Sequence, residues 1–284
     1  MIGTEDISWD VVITPYRKWY ELRLKEVFRY KDLIFLLVKR SFSSQYKQTI
    51  LGPLWFIINP LLSSLVSTII FGNIAGIGSD GVPYFLFYLC GYTLWNYFSV
   101  CVNATSSTFV ANAGIMGKVY FPRLTMPISA VIFSALNMII IFLMSVITMI
   151  VYMCKGYQIH PNGMILVIPI LMLQTALLGL GVGIIVSSLT TKYRDLTILV
   201  SFGLNLWMYL TPVVYPISEV DGILKQVILI NPMSTIVQNY KYALLGIGNF
   251  EVCYWFISLC MTIGIFLIGV LLFNKVEGTF MDTV

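Results

Sequence analysis

Charged side chains are scarce in this sequence, and their scarcity excludes a soluble globular protein. Asp, Glu, Lys and Arg make up 11% of the 284 residues, whereas hydrophobic residues make up 58%. Soluble domains carry about 25% charged residues. A chain with less than half of that fraction cannot cover a water-exposed surface. Together with a mean hydropathy of +0.87, this predicts an all-α protein that crosses the membrane several times.

The sequence also lacks the side chains that catalysis and ion coupling require. The apolar stretches contain essentially no Asp, Glu, His or Arg of the kind that ion-driven carriers use. The single histidine, His160, lies in a short loop, which leaves no basis for a Ser-His-Asp set or a metal site. Gly114, Gly117 and Lys118 do not match the phosphate-loop spacing. We therefore predict no catalytic residue, metal or cofactor in this chain.

Six apolar stretches are long enough to cross a bilayer, which takes about 20 residues. One side of the predicted spans carries fourteen of the seventeen Lys and Arg residues, and the other side carries three. Because cations are retained on the cytoplasmic side, both termini are predicted to be cytoplasmic. The stretches are 51–72, 84–109, 124–153, 164–189, 196–214 and 254–273.

A basic arm, residues 1–49, precedes the six-span domain, residues 50–284. Nine of the Lys and Arg residues lie between Arg17 and Lys47, so membrane orientation explains the net charge of +4 without a nucleic-acid partner. In residues 16–31, apolar and basic positions alternate at helical spacing. This pattern is typical of an amphipathic helix in the membrane interface, and a surface helix packed on a soluble neighbour produces the same pattern.

The connection between the last two stretches contains two short apolar segments, 218–230 and 234–245, separated by Asn231-Pro232. Ser218 is predicted to cap the first segment. Each segment would be roughly 18 Å long as a helix, short of the ~30 Å hydrocarbon core. The pattern predicts a re-entrant hairpin over residues 216–246 in the outer leaflet. A pair of amphipathic helices on the outer surface has the same periodicity.

Uncharged polar and aromatic residues are the candidates for lining a transport path. Sugar rings stack on aromatic faces and sugar hydroxyls bond to amides, so such a path suits a glycan. Trp and Tyr also anchor spans at the membrane interface, which leaves both roles open. The candidates are Tyr92, Trp95, Asn96, Trp207, Tyr209 and Tyr215.

Four stretches in order carry a resemblance to a known family. They are YKQTILGPLW at 46–55, KVYFPR at 118–123, YRD at 193–195 and PVVYP at 212–216, the last followed by Asn231-Pro232 and ALLG at 243–246. Together they resemble the permease subunit of bacterial ABC exporters for O-antigen, capsular polysaccharide and teichoic acid, with O-antigen permeases the most similar. The resemblance extends from about residue 19 to residue 273.

The resemblance implies a homodimer in the bacterial inner membrane with two separate ATPase subunits, which bind ATP and Mg²⁺. The substrate would be a lipid-linked polysaccharide. A coupling helix at 111–120 would pass ATPase movement to the first, second and fifth spans, and the hairpin at 216–246 would be an outer gate. The implied ATPase-coupling residues are Gly114, Ile115, Met116, Gly117, Lys118, Tyr120, Arg123, Tyr193, Arg194 and Asp195.

Arg40 and Lys47 are candidates for contacting the anionic lipid headgroup, because cations favour phosphate. Retention of cations on the cytoplasmic side explains the same two residues. Two other functions remain open. One is an ABC permease for a small drug or lipid with the same fold. The other is a membrane transferase acting on lipid-linked sugars, for which the acidic candidates Glu219 and Asp221 are isolated.

Overall fold

A computed structural model describes residues 24–46, 52–116, 121–190, 193 and 195–283. Every regular element in these ranges is a helix, as the composition predicts. The helices are α1 Leu24–Arg29, α2 Lys31–Tyr46, α3 Trp55–Ser67, α4 Tyr84–Ser106, α5 Thr108–Met116, α6 Thr125–Cys154, α7 Ile168–Thr190, α8 Leu196–Tyr209, α9 Gly222–Ile230, α10 Pro232–Leu245 and α11 Val252–Thr283.

Five helical segments are long and apolar enough to cross a membrane, so the chain is a multi-pass membrane protein. The first combines α3 with a 3-10 turn before it and a π-helix after it, and the fourth begins with a 3-10 turn before α7. The five segments are Gly52–Ile74, Tyr84–Ser106, Thr125–Cys154, Gly163–Thr190 and Val252–Val276. They match five of the six predicted stretches.

The remaining predicted stretch, 196–214, is helical only as far as Tyr209. Residues 210–215 form turns, because Pro212 has no N–H to donate and disfavours helical geometry at Thr211 before it. At 14 residues, α8 is about 21 Å long. It is apolar and is shorter than the other five.

The amino-terminal arm is described from Leu24 onward, so much of the predicted interface helix at 16–31 lies outside the described residues. The helix within them is interrupted: α1 ends at Arg29 and α2 begins at Lys31. The second of these helices packs along α6. Its outward face leaves Phe35 and Leu36 exposed.

Glycine places α7 between two other helices. Gly179 and Gly183 face α4: an added Cβ at Gly179 would lie 2.7 Å from Cβ of Cys101, and one at Gly183 would overlap Thr105. Gly181 faces α11, where an added Cβ would lie 2.9 Å from the Phe266 backbone. Small residues allow such close approach of membrane helices. The glycine run therefore fixes α4, α7 and α11 against one another.

The hairpin region forms two short helices, α9 and α10. Asn231 caps α10, because its side chain accepts a hydrogen bond from the Met233 amide at 3.1 Å. The prediction that Ser218 caps the first helix is wrong. Residues 217–219 form a separate 3-10 turn, and the Ser218 hydroxyl donates to the Asp80 carboxylate at 2.7 Å. Helix α9 begins only at Gly222.

Candidate functional site

Helix α5 forms the first part of the segment predicted to contact an ATPase. Gly114 lies on it with open space around its α-carbon, and only the backbone of Ile115 and Met116 is described. Arg123, Tyr193 and Asp195 lie in the connections at the same end of the bundle, and Tyr193 is 57% exposed. The other predicted coupling residues, Gly117, Lys118, Tyr120 and Arg194, lie outside the described residues.

The base of α5 contacts α11, beside the point where the ends of α4 and α7 are joined to each other. The Thr190 hydroxyl at the end of α7 donates to the Ser106 carbonyl at the end of α4, at 2.9 Å. Phe109, in the first turn of α5, stacks on Phe273 of α11 with ring centroids 4.5 Å apart. Both rings are fully buried. A displacement of α5 therefore acts directly on α11 through this ring pair, and α5 also lies beside α4 and α7.

The six candidate path-lining residues lie in three places. Trp95 and Trp207 meet in an aromatic cluster with Phe98: the Trp95 and Trp207 centroids are 6.5 Å apart, and those of Phe98 and Trp207 are 5.4 Å apart. Trp95 is 4% exposed. This cluster joins α4 to α8 within one subunit.

Tyr209 and Tyr215 flank the turn that follows α8. The Tyr215 hydroxyl donates to the Tyr209 carbonyl at 3.1 Å. Tyr209 itself is 56% exposed. This pair therefore combines a structural hydrogen bond with an open aromatic side chain.

Tyr92 and Asn96 line a cavity of about 420 Å³ between α3, α4 and α6. Trp55 and Asn59 of α3 and Asn137 of α6 lie on the same cavity. Of the six candidates, these two contact a space large enough for a ligand. The sequence identified the residues of α4, whereas the contribution of Asn137 depends on contact between helices distant in the chain.

The end of the bundle opposite α5 contains a buried lysine that the sequence analysis did not single out. Lys241 of α10 is 4% exposed, and its ammonium donates to the carbonyls of Pro212 at 2.7 Å and Val213 at 3.1 Å. The same ammonium lies 3.3 Å from the centroid of the Phe87 ring. The absence of a side chain at Gly91 leaves room for it.

This lysine fixes the turn after α8 to α10 and α4. Asn231 and Ser234 of α10 also donate to that turn, at the Leu210 carbonyl. A single cation within an apolar helix was the available sequence signal, because buried cations in membrane proteins are rare and need specific partners.

Of the two candidate headgroup residues, the structure describes Arg40 alone. Arg40 lies on the exposed face of α2, and Lys47 lies outside the described residues. The exposed Arg40 guanidinium, near the start of the first span, is accessible to a phosphate.

Comparisons with known proteins agree with this architecture. A family model described as ABC-2 type transporter matches residues 32–245, from α2 to the end of α10. The chain is also 28% identical over 255 residues to a protein named O-antigen export system permease protein RfbA from Klebsiella pneumoniae, covering 88% of this chain and 94% of that protein. A protein of the same name from Myxococcus xanthus is 28% identical over 220 residues, covering 77% and 82%. The chain therefore belongs to the ABC-2 type transporter family, as a multi-pass membrane subunit rather than a catalytic enzyme.

Proposed function

We propose that this chain is the membrane subunit of an ATP-driven exporter that moves a lipid-linked, O-antigen-like polysaccharide across the bacterial inner membrane. The observation that carries the proposal is the similarity to relatives named O-antigen export permeases over 88% of the chain. The uncharged, amide- and aromatic-lined cavity beside α4 is consistent with a neutral glycan.

In this proposal two copies of the chain assemble with two ATPase subunits, which bind ATP and Mg²⁺. Each copy contributes six spans, with α8 and the turn after it as the fifth, and both termini are cytoplasmic. The distribution of Lys and Arg supports this orientation. The exposed apolar face of α3, which includes Leu61, Leu62 and Leu65, is available to pack against the second copy.

The ATPase would act on the segment 111–120 together with Arg123, Tyr193, Arg194 and Asp195. The stacking of Phe109 on Phe273 supports a route for that movement into α11, and the hydrogen bond between Thr190 and Ser106 joins α7 to α4 at the same end. We propose that α9 and α10 form the re-entrant outer gate. Near the cytoplasmic side, Arg40 and Lys47 would meet the anionic lipid headgroup.

Deletion of the gene tests the function. We expect the polymer to disappear from the cell surface and to accumulate inside the cell, and the intact gene to restore export. A deletion strain that still displays the polymer would contradict the proposal. A strain that makes no polymer at all would indicate a role in synthesis, and unchanged polymer with a lost drug or lipid efflux would indicate a small-molecule permease.

A further inference from the structure

The cavity between α3, α4 and α6 has the size and depth of a ligand site within the membrane. Its volume of about 420 Å³ lies inside the range of about 300–1,000 Å³ found for small-molecule sites. Asn59, Asn96 and Asn137 lie roughly 10 to 18 Å along their helices from the end at which α2 packs, at 1.5 Å per residue. They therefore lie at the depth of the hydrocarbon core.

The side-chain oxygen of Asn137 has no hydrogen-bond donor within the described part of the chain. Other polar side chains of α6 bond within their own helix: the Ser134 hydroxyl donates to the Ala130 carbonyl at 2.8 Å, and the Ser145 hydroxyl to the Ile141 carbonyl at 3.0 Å. The side-chain oxygen of Asn137 is buried and accepts no hydrogen bond within the described part of the chain. An oxygen acceptor cannot bond to a helix carbonyl, so its donor must come from elsewhere.

The described lining of the cavity offers no charged side chain to a charged ligand. None of the described residues around the cavity is Asp, Glu, Lys, Arg or His. A phosphate or an ammonium at this depth would lose its hydration without gaining an opposite charge, which is very costly. The described lining therefore favours a neutral ligand.

The amides and aromatic rings that line the cavity favour a ligand with a hydroxyl-bearing ring. The three asparagines come from three different helices, and each amide offers both donors and an acceptor. A hydroxyl group donates and accepts, so it satisfies an amide in either orientation. Trp55 and Tyr92 lie on the same cavity and supply large apolar surfaces with a polar edge. This combination matches the apolar face and polar rim of a sugar.

We propose that this cavity binds an uncharged, hydroxyl-bearing group of roughly one or two sugar rings. The source of the ligand rests on the proposed function: the sugars belong to the exported polysaccharide. A glycolipid resident in the membrane presents the same chemistry, so the experiment separates the two sources.

Photo-crosslinking in cells that contain the complete exporter tests the site. We place p-benzoylphenylalanine at Phe133, which lines the cavity, and at Ile132, its neighbour, which is 44% exposed. Substitution at Tyr92 gives a second lining position if the Phe133 variant does not accumulate in the membrane. We expect the subunit to be crosslinked to a sugar-containing molecule from the two lining positions and not from Ile132.

The asparagines are then tested in the Phe133 crosslinking background. Asn96→Leu and Asn137→Leu should each lower the adduct yield about fivefold, the effect of one lost hydrogen bond. Asn103→Leu is the matched control: Asn103 also lies on α4, but outside the cavity, where its amide donates to the Ser99 carbonyl at 3.0 Å and accepts from the Ser201 hydroxyl at 2.9 Å. The control should change the yield less than twofold, in keeping with a site that its side chain does not contact.

The outcomes are distinct. Adducts that disappear when the cell cannot make the polymer identify the exported glycan, and adducts that persist with the mass of a membrane glycolipid identify the second source. Equal adducts at Phe133 and Ile132, no adducts at either lining position in an active exporter, or equal losses from all three Leu variants would overturn the inference. Loss of export on gene deletion without sugar adducts would leave the proposed function intact and reject this site alone.

Discussion

The first two spans differ sharply in how much of their surface the subunit covers. Four of the thirteen residues of α3 are buried, whereas sixteen of the twenty-three residues of α4 are buried. Around α4, glycines admit α7, and Lys241 joins α10 and the turn after α8. The exposed side of α3 carries Leu61, Leu62 and Leu65 and contacts nothing in the described chain that would cover it.

This difference divides the subunit into a fixed block and a peripheral span. The block consists of α4, α7, α10 and α11, which meet through backbone contacts, buried rings and a buried cation. The peripheral span is α3, whose outer face must be covered by lipid or by another protein chain. Substitutions inside the block should therefore reduce stability, and those on the inner face of α3 should have small effects.

The largest effect is expected where α4 and α7 are in closest contact. In Gly183→Ala the new Cβ overlaps Thr105 and lies 3.2 Å from the Val102 carbonyl, so we expect a loss of about 3 kcal/mol in the free energy of unfolding. Gly264→Ala on α11 is the control, because nothing lies within 4 Å of its Cβ. Alanine is the better helix former, so the control should gain up to about 1 kcal/mol.

Chemical unfolding of the purified subunit in detergent measures both variants. Effects of the same sign and size at Gly183 and Gly264 would show that close packing at the α4 contact does not determine the stability of the block.

A somewhat smaller loss of stability is expected when the buried Lys241 is replaced. Lys241→Ala removes the donor to the Pro212 and Val213 carbonyls and leaves two buried acceptors unpaired, which costs about 2 kcal/mol. The control is Lys225→Ala on α9, where Lys225 is only partly buried and the change should stay within about 0.5 kcal/mol.

Limited proteolysis of the turn after α8, together with unfolding, measures this effect. We expect faster cleavage near Pro212 in the Lys241 variant alone. Unchanged cleavage and stability would mean that the ammonium does not hold the turn against α4 and α10.

A still smaller loss of stability is expected from a substitution at the base of α5. Phe109→Leu weakens the stacking on Phe273 while keeping the site apolar, so the free energy of unfolding should fall by about 1 kcal/mol. Under the proposed function, polymer export per subunit should fall as well, because the contact of α5 with α11 is weakened. Phe202→Leu on the exposed face of α8, where Phe202 is 63% exposed, should leave both quantities unchanged.

Export by the Phe109 variant is measured as surface polymer at matched subunit levels. Normal export despite the lost stability would show that α5 does not act through α11.

Sequence alone predicted most of the helices because hydropathy reports membrane burial directly. The predicted stretch 124–153 became Thr125–Cys154, and 84–109 became Tyr84–Ser106 followed by the separate helix α5. Hydropathy failed where local geometry decided the outcome. The stretch 196–214 remains apolar past Tyr209, yet the helix ends because of Pro212. Ser218 failed as a cap because its partner, Asp80, is far away in the sequence.

The site was predictable only in part, because its key features depend on contacts between distant segments. Tyr92 and Asn96 were identified from composition, but the cavity exists only because α3 and α6 pack beside α4. The sequence places Lys241 in the apolar segment 234–245, but its partners in the turn at Pro212 lie 28 and 29 residues away in the chain. The coupling residues depend on a partner chain, so Arg123 and Asp195 remain predictions.

The smallest change in the free energy of unfolding is expected on the inner face of α3. There it matters whether a substitution raises or lowers the stability. The Ser64 hydroxyl is buried and has no hydrogen-bond partner within the described chain. Ser64→Ala removes that group and introduces the best helix former, so the free energy of unfolding should rise by about 0.5 kcal/mol. Thr68→Val, one turn later, removes a hydroxyl that donates to the Ser64 carbonyl at 2.6 Å and should not be stabilising. A loss of stability in Ser64→Ala would mean that the hydroxyl has a partner in the assembled protein, and α3 would then belong to the fixed block.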